Sequence, residues 1–276
     1  MTKGIALTIG LNAVDPAHYG GWSGELIACE NDANDMADIA KTRGFVVTKL
    51  LTKAATRAKV IARIKKAAQL LKGGDVFLLS YSGHGGQLPD KNSDEDDAVD
   101  ETWCLYDGEL VDDELNMLFG KFKPGVRIAM FSDSCHSGTV AKAAYYQAMA
   151  LSSKEPNAKR YRFMPSEVAQ RTYSANRAFY DRILKDKALK ESRDRVKASV
   201  VLISGCQDNQ LSMDGDFNGL FTAHLLNVWN DGKFKGSYRK FHRAIVKQMP
   251  PDQTPNYYRV GAADPTFDAL RPFTLA

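Results

Sequence analysis

The chain has no apolar run long enough to span a bilayer, which takes roughly 18 to 20 consecutive residues; charges or prolines interrupt every stretch that begins as one. Cysteine is scarce. Cys29, Cys104, Cys135 and Cys206 are widely spaced and form no CxxC pair, so neither a disulfide framework nor a structural zinc site is indicated, and reduced thiols are expected. A strong charge imbalance is also missing. The net charge is +4, and no basic motif is interleaved with aromatics, so nucleic acid is not an expected partner. There is no internal repeat and no low-complexity tract. The opening MTKGIALTIGLNAV lacks the long hydrophobic region and small-residue cleavage site of a secretory signal. It reads as a core strand, with no membrane partner and the cytoplasm as the expected location.

What is present is an ordinary globular composition, 44% apolar and 25% charged over 276 residues, enough for one large α/β domain or two small ones. Short apolar runs alternate with helical patterns, as expected of a mainly parallel central sheet with helices on both faces. The expected strands are Ile5 to Ile9, Val46 to Leu50, Val76 to Tyr81, Arg127 to Ser132 and Val200 to Ser204. Between the second and third, Thr56 can cap a helix in which Val60, Ile61, Ile64, Ala68 and Leu71 recur at helical spacing before Gly73 and Gly74. Further helices are expected near Asn34 to Arg43, Asp113 to Phe119 and Leu220 to Trp229. Residues 142–197 are basic and lack strand patterns. They read as an inserted connection, with Ser166 to Asp186 capable of helix.

Two segments carry chemistry. VFLLSYSGHGGQ places His84 among glycines just past the third strand, and IAMFSDSCHSGT places Cys135 in the matching position past the fourth. In an open parallel sheet, ligands and reacting side chains meet beyond the carboxyl ends of the strands. A thiol of ordinary pKa, about 8.5, is mostly protonated at neutral pH and needs a base to become a nucleophile. His84 can supply one; His136 is the competing base, on a side chain expected to leave the turn in another direction. Backbone amides near Gly85 and Cys135 are oxyanion-hole candidates, because glycines let a substrate carbonyl approach the main chain.

Several ordered blocks, ELIACENDANDM, SYSGHGGQ, DEDDAVDETWCLYD, VDDEL, SDSCHSGT, ISGCQDNQLSMDG and QTPNYY, together resemble the metacaspase and bacterial orthocaspase branch of the caspase-like cysteine peptidases. The histidine lies 51 residues before the cysteine, close to the caspase spacing, yet DSCHSG stands where caspases carry QACxG. The resemblance implies a caspase-like (caspase-hemoglobinase) α/β fold in a single catalytic domain over 1–276. Its large-subunit-like part is 1–141, the basic connection 142–197 and the small-subunit-like part 198–276. It further implies a Cys135–His84 dyad and a basic-residue pocket lined by Asp32, Asp133 and Ser82, with Cys29 at its wall. A calcium site matching Asp100, Asp112 and Asp113 is implied only in part, because Lys142 occupies a further acidic position. A solvated acidic loop is the other reading of that stretch.

The expected activity is endopeptidase cleavage after Arg or Lys. Paired carboxylates suit a guanidinium and reject aspartate. No cofactor is required, with calcium as a candidate activator. The expected partner is a protein or peptide with Arg or Lys before the cut bond, and the expected state is a monomer. The connection offers Lys154, Lys159, Arg160, Arg162 and Arg171 for self-processing. The alternative is a catalytically silent module that binds peptides in the same acidic crevice; a metal site built from the cysteines and histidines is a weaker one. Asp32 and Asp133 can also be read as helix caps.

Overall fold

The computed structural model describes residues 1–89, 99–134, 160–206 and 212–276. The chain runs β1 (Gly4–Gly10), α1 (Cys29–Thr42), β2 (Val46–Leu51), α2 (Arg57–Leu70) and β3 (Val76–Ser82). There follow β4 (Gly85–Pro89), β5 (Val99–Leu105), β6 (Gly108–Val111), α3 (Asp112–Phe119) and β7 (Arg127–Asp133). The second half holds β8 (Arg160–Tyr161), α4 (Ser166–Ala175), α5 (Arg177–Leu184), α6 (Lys187–Lys190), β9 (Ser199–Ser204) and β10 (Met213–Asp214). It ends with α7 (Leu220–Trp229), α8 (Tyr238–Val246), β11 (Asn256–Gly261) and α9 (Pro265–Ala269).

Six strands form the central sheet in the order β11-β9-β7-β3-β1-β2, all parallel except β11, which runs antiparallel to β9. Successive side chains on a strand point to opposite faces, so each central strand feeds two cores. Leu7, Ile9, Phe77, Leu79, Ile128 and Val200 pack with Val60 and Ile64 of α2 and Leu115 and Leu118 of α3. Ala6, Leu78, Ala129, Phe131, Val201 and Ile203 pack on the other face with Met36 of α1, Leu225 of α7 and Phe241 of α8. Near-continuous apolar runs in the central strands follow from burial on both sides.

Thr56 caps α2, its hydroxyl accepting from the Lys59 N–H. Helix α1 begins at Cys29 rather than near Asn34. Its buried stripe runs through Cys29, Asp32, Ala33, Met36 and Ala40, and the aspartate interrupts the apolar pattern that would reveal the first turn. The reading of 142–197 as free of strand also needs correcting. Arg160–Tyr161 forms β8, which pairs antiparallel with β10, a strand of two residues having no periodicity to detect. Helices α4 and α5 lie in the part expected to allow helix. The acidic stretch is likewise not all loop, since β5 takes Val99–Leu105 into the antiparallel β4-β5-β6 sheet.

Ile64 is wholly buried between α2 and the sheet. Ile64→Ala is expected to lower the unfolding free energy by about 2–5 kcal/mol in urea titration; a change within about 0.5 kcal/mol would show that α2 does not pack there.

Candidate active site

Parallel pairing sets the site. Ser82 at the end of β3 is in register with Asp133 at the end of β7, and Gly10 at the end of β1 with Ser82. His84 follows Ser82 by two residues, and Cys135 follows Asp133 by two. Cys135, His136, Lys142, Lys154 and Lys159 lie outside the described residues.

His84 is held from several sides. Tyr81 stacks on Trp103 with ring centroids 4.3 Å apart, and its hydroxyl donates to the His84 carbonyl at 2.7 Å. The Cys104 N–H reaches the same carbonyl at 3.0 Å. On the ring, Nε2 lies 3.0 Å from the Gly24 carbonyl. A carbonyl only accepts, so Nε2 carries the proton and the lone pair of the neutral ring sits on Nδ1. Nδ1 is buried and makes no hydrogen bond among the described residues. The Trp22 ring lies 4.7 Å from the imidazole, centroid to centroid. Gly24 has φ +54°, and a Cβ there would stand 2.8 Å from Trp22, so the turn demands glycine. Burial lowers the His84 pKa to about 4, helped by the Arg162 charge and opposed by the Gly24 and Phe163 backbones. The ring is therefore neutral at pH 7.

Beside it lies an acidic pocket that is already filled. Arg162 is wholly buried, with Nη2 at 2.7 Å from Asp32 and 2.9 Å from Asp214, and Nη1 at 2.9 Å from Asp133. Nη1 also donates to the Ser82 hydroxyl at 2.8 Å. The main chain is engaged as well: the Gly85 N–H donates to the Arg162 carbonyl and the Arg162 N–H to the Ser212 carbonyl, each at 3.0 Å. Tyr161 pairs with Met213 and Arg160 with Asp214, so the segment lies along β10 as an added strand. Burial pushes the Cys29 thiol up, against the influence of Arg162 and Ser82. Asp32 is pushed up to about 6 by burial, with Arg162 acting against this and Asp133 reinforcing it.

Asp32 does not cap its own helix, whose first residues have no side-chain cap. Its Oδ1 instead accepts from the Gly219 N–H and the Asn218 amide, both at 3.0 Å, just before α7. Asp133 accepts from the Thr222 N–H at 3.1 Å and hydroxyl at 2.8 Å. Both carboxylates thus lie at the amino end of α7, where free N–H groups and the helix dipole favour negative charge. Gly219 permits this closeness, since a Cβ there would meet the Arg162 guanidinium at 2.5 Å. Gln253 ties the far wall, donating to the Gly205 carbonyl and the Ser212 hydroxyl and accepting from the Met213 N–H.

Reading the sequence missed Asp214, Gly24 and Trp22, and took Arg162 only as one of several cleavage candidates. Asp214 lies within the ISGCQDNQLSMDG block, but nothing in the sequence says that a two-residue strand turns it inward.

Asp112 is pushed well up by burial and by Asp113, Glu101 and Asp100 around it. Asp113 also accepts from the Ser192 hydroxyl at 3.2 Å. Among the described residues no three His, Cys, Asp or Glu side chains are arranged to hold a metal ion, and the acidic residues 90–98 that precede Asp100 lie outside them.

A parallel sheet flanked by helices, with the histidine loop and an acidic slot at its carboxyl edge, defines the caspase-like class of α/β proteins. A family model described as Caspase domain matches residues 3–267, and the chain belongs to that family. A Geobacter sulfurreducens protein of known crystal structure is 64% identical, with TM-score 0.88 over 99% of this chain and 98% of that one. Metacaspase-1 of Saccharomyces cerevisiae is 31% identical over 81% of this chain and 57% of its own length. Caspase-1 from Spodoptera frugiperda shares the fold, with TM-score 0.55 at 12% identity over 94% of this chain and 86% of that one. The chain spans less than two thirds of the curated relatives it matches. No described helix is long and apolar enough to cross a membrane.

The buried His84 binds its proton less readily than an unfolded histidine of pKa about 6.5. Between there and about pH 4 the unfolded chain takes up more protons, so acidification through that window destabilises the fold. Relative to His84→Gln, the wild type is expected to lose roughly 3 kcal/mol more of unfolding free energy from pH 7 to pH 4. Parallel urea midpoints across that range would remove this assignment.

Proposed function

We propose that this chain is a cysteine endopeptidase that cleaves after Arg or Lys, with Cys135 as nucleophile and His84 as its proton partner. The observation that carries the reading is Arg162: its guanidinium fills the carboxylate pocket while its carbonyl accepts from Gly85 N–H, the posture of a residue before a bond about to be cut.

In the reaction, neutral His84 takes the Cys135 proton at Nδ1 and the thiolate adds to the substrate carbonyl. Gly85 and Cys135 N–H groups stabilise the oxyanion. The C–N bond then breaks as His84 gives its proton to the leaving amine. Water, deprotonated by His84, hydrolyses the thioester, releasing the new carboxyl terminus and regenerating the thiol. Cys29 and Ser82 line the slot with Asp32 and Asp133. The reaction draws on no cofactor and no step passes through calcium. One chain supplies every group named, and a monomer is the proposed working unit.

The same posture makes Arg162–Phe163 the proposed point of self-processing, because a tethered segment binds at a high effective concentration. Arg160 and Arg171 are exposed.

Fluorogenic peptides ending in Arg and Lys are expected to be cleaved and one ending in Asp not, with Cys135→Ala reducing turnover at least a thousandfold. If the wild type cleaves none, or Cys135→Ala cleaves equally well, the chain is instead a peptide-binding module. Intact mass is expected to show a fragment ending at Arg162 that disappears in Arg162→Ala. A single uncut species in an active wild-type sample would remove the self-processing proposal.

A further inference from the structure

The loop between β1 and α1 supplies two groups that meet the His84 ring, the Gly24 carbonyl and the Trp22 indole. We infer that Tyr180 of α5 is a positioning residue for the reaction: through His18 it holds that loop, and through the loop it fixes the orientation of the His84 imidazole. The inference goes beyond the proposed cleavage after basic residues and, for its kinetic arm, rests on it.

Gly20 and Gly21, at φ +60° and +90°, leave the stretch from His18 to Gly24 little stiffness of its own. Its course is set by anchors. The flanks are joined through the main chain, the Val14 N–H donating to the Ser23 carbonyl and the Leu26 N–H to the Asn12 carbonyl, each at 2.9 Å. Between these pairs, the Tyr19 hydroxyl donates to the Leu105 carbonyl of β5 at 2.7 Å. His18 is held from the other side, by the connection. The Asn176 amide donates to its carbonyl at 3.0 Å, and Tyr180 Oη lies 2.7 Å from its Nε2.

The Tyr180 oxygen accepts from the Glu109 N–H at 3.1 Å, and its own proton has one acceptor among the described residues, His18 Nε2. The hydroxyl therefore bridges the main chain of β6 and the loop, with the His18 ring neutral and its lone pair on Nε2. Burial lowers the His18 pKa, opposed by Asp107 and Asp15 and helped by Arg57, which keeps the ring in that form at pH 7. The support behind the bridge is firm. Tyr180 is wholly buried and packs with Leu184 on Leu88 of β4 and Val111 of β6. Its neighbour Phe179 lies under the Arg57 guanidinium at 5.3 Å, and Arg57 is itself paired with Glu114 at 2.9 Å.

From His18 the contacts continue to the catalytic ring. His18 meets Tyr19 edge-on with centroids 5.1 Å apart, and Tyr19 meets Trp22 edge-on at 6.1 Å. The Trp22 N–H also donates to the Tyr19 carbonyl at 3.1 Å. Releasing His18 lets Trp22 and Gly24 shift together. A misplacement of about 1 Å can cost on the order of a hundredfold in rate. Without the Gly24 acceptor the imidazole proton can move to Nδ1, which leaves no lone pair to receive the Cys135 proton.

The experiment has two arms. In the first, kcat and KM are measured for a peptide ending in Arg with wild type and Tyr180→Phe, which keeps the ring and removes the bridge. The two constants are expected to separate, kcat falling on the order of tenfold to a hundredfold while KM stays within about twofold. Tyr173→Phe is the control. It removes a hydroxyl bonded to Asp181 within the same helix pair and is expected to keep the wild-type kcat. The second arm needs no turnover and uses Cys135→Ala, in which the ring nitrogen chemical shifts of His84 report where the proton sits. At pH 7 it is expected on Nε2, and adding Tyr180→Phe is expected to move a share on the order of a tenth or more to Nδ1. Asn176→Ala, which removes the bond to the His18 carbonyl, is expected to shift kcat and the tautomer in the same direction by less, and it decides should Tyr180→Phe not fold. An unchanged kcat in a wild type that cleaves, an equal fall in Tyr173→Phe, or an unchanged tautomer overturns the inference and leaves the proposed function standing. A wild type that cleaves no peptide overturns the proposed function instead, and the tautomer then decides the inference alone.

Discussion

One guanidinium among three carboxylates organises the carboxyl edge of this sheet. Each charge withdrawn from water costs several kcal/mol unless its partners are close and its remaining lone pairs are met. One cation cannot neutralise three anions, so the balance comes from neutral donors: the Ser82, Ser212 and Thr222 hydroxyls, the Asn218 amide, and the Ile27, Gly219 and Thr222 N–H groups. These donors come from segments distant in sequence. The acids are therefore points at which the loop before α1, the ends of β3 and β7, β10 and the start of α7 are forced to agree on a common position.

In the proposed reading, the arrangement fuses structure with recognition. Asp32 anchors the amino end of α7 with one oxygen and the Arg162 guanidinium with the other, whereas Asp133 meets both α7 and the guanidinium through Oδ2. A helix end with free N–H groups stabilises carboxylates even when no cation is nearby, so the slot can remain negative and preformed between occupants. Truncating either acid would disturb both the seat of α7 and the charge in the slot, and stability and selectivity cannot be separated there.

Much of this was legible in the sequence. The four central strands β1, β3, β7 and β9 and helix α2 stand out because burial on both faces leaves near-continuous apolar runs, and because Thr56 marks a helix start. His84 was visible as a histidine among glycines after such a run. Its main-chain acceptor was not, because Gly24 is distant in sequence and contributes only a carbonyl. The first turn of α1 was hidden because Asp32 faces a charge rather than the core. Strands β8 and β10, two residues each, exist only through pairing, so the segment holding Arg162 read as part of a structureless connection. The inward turn of Asp214 depends on that pairing.

The Gly24 carbonyl that orients the imidazole is a main-chain atom. No exchange of one side chain for another can delete it; only a change in the course of the loop can. The tautomer of the ring is thus inscribed in the path of the backbone, and with it the direction in which the imidazole offers its lone pair.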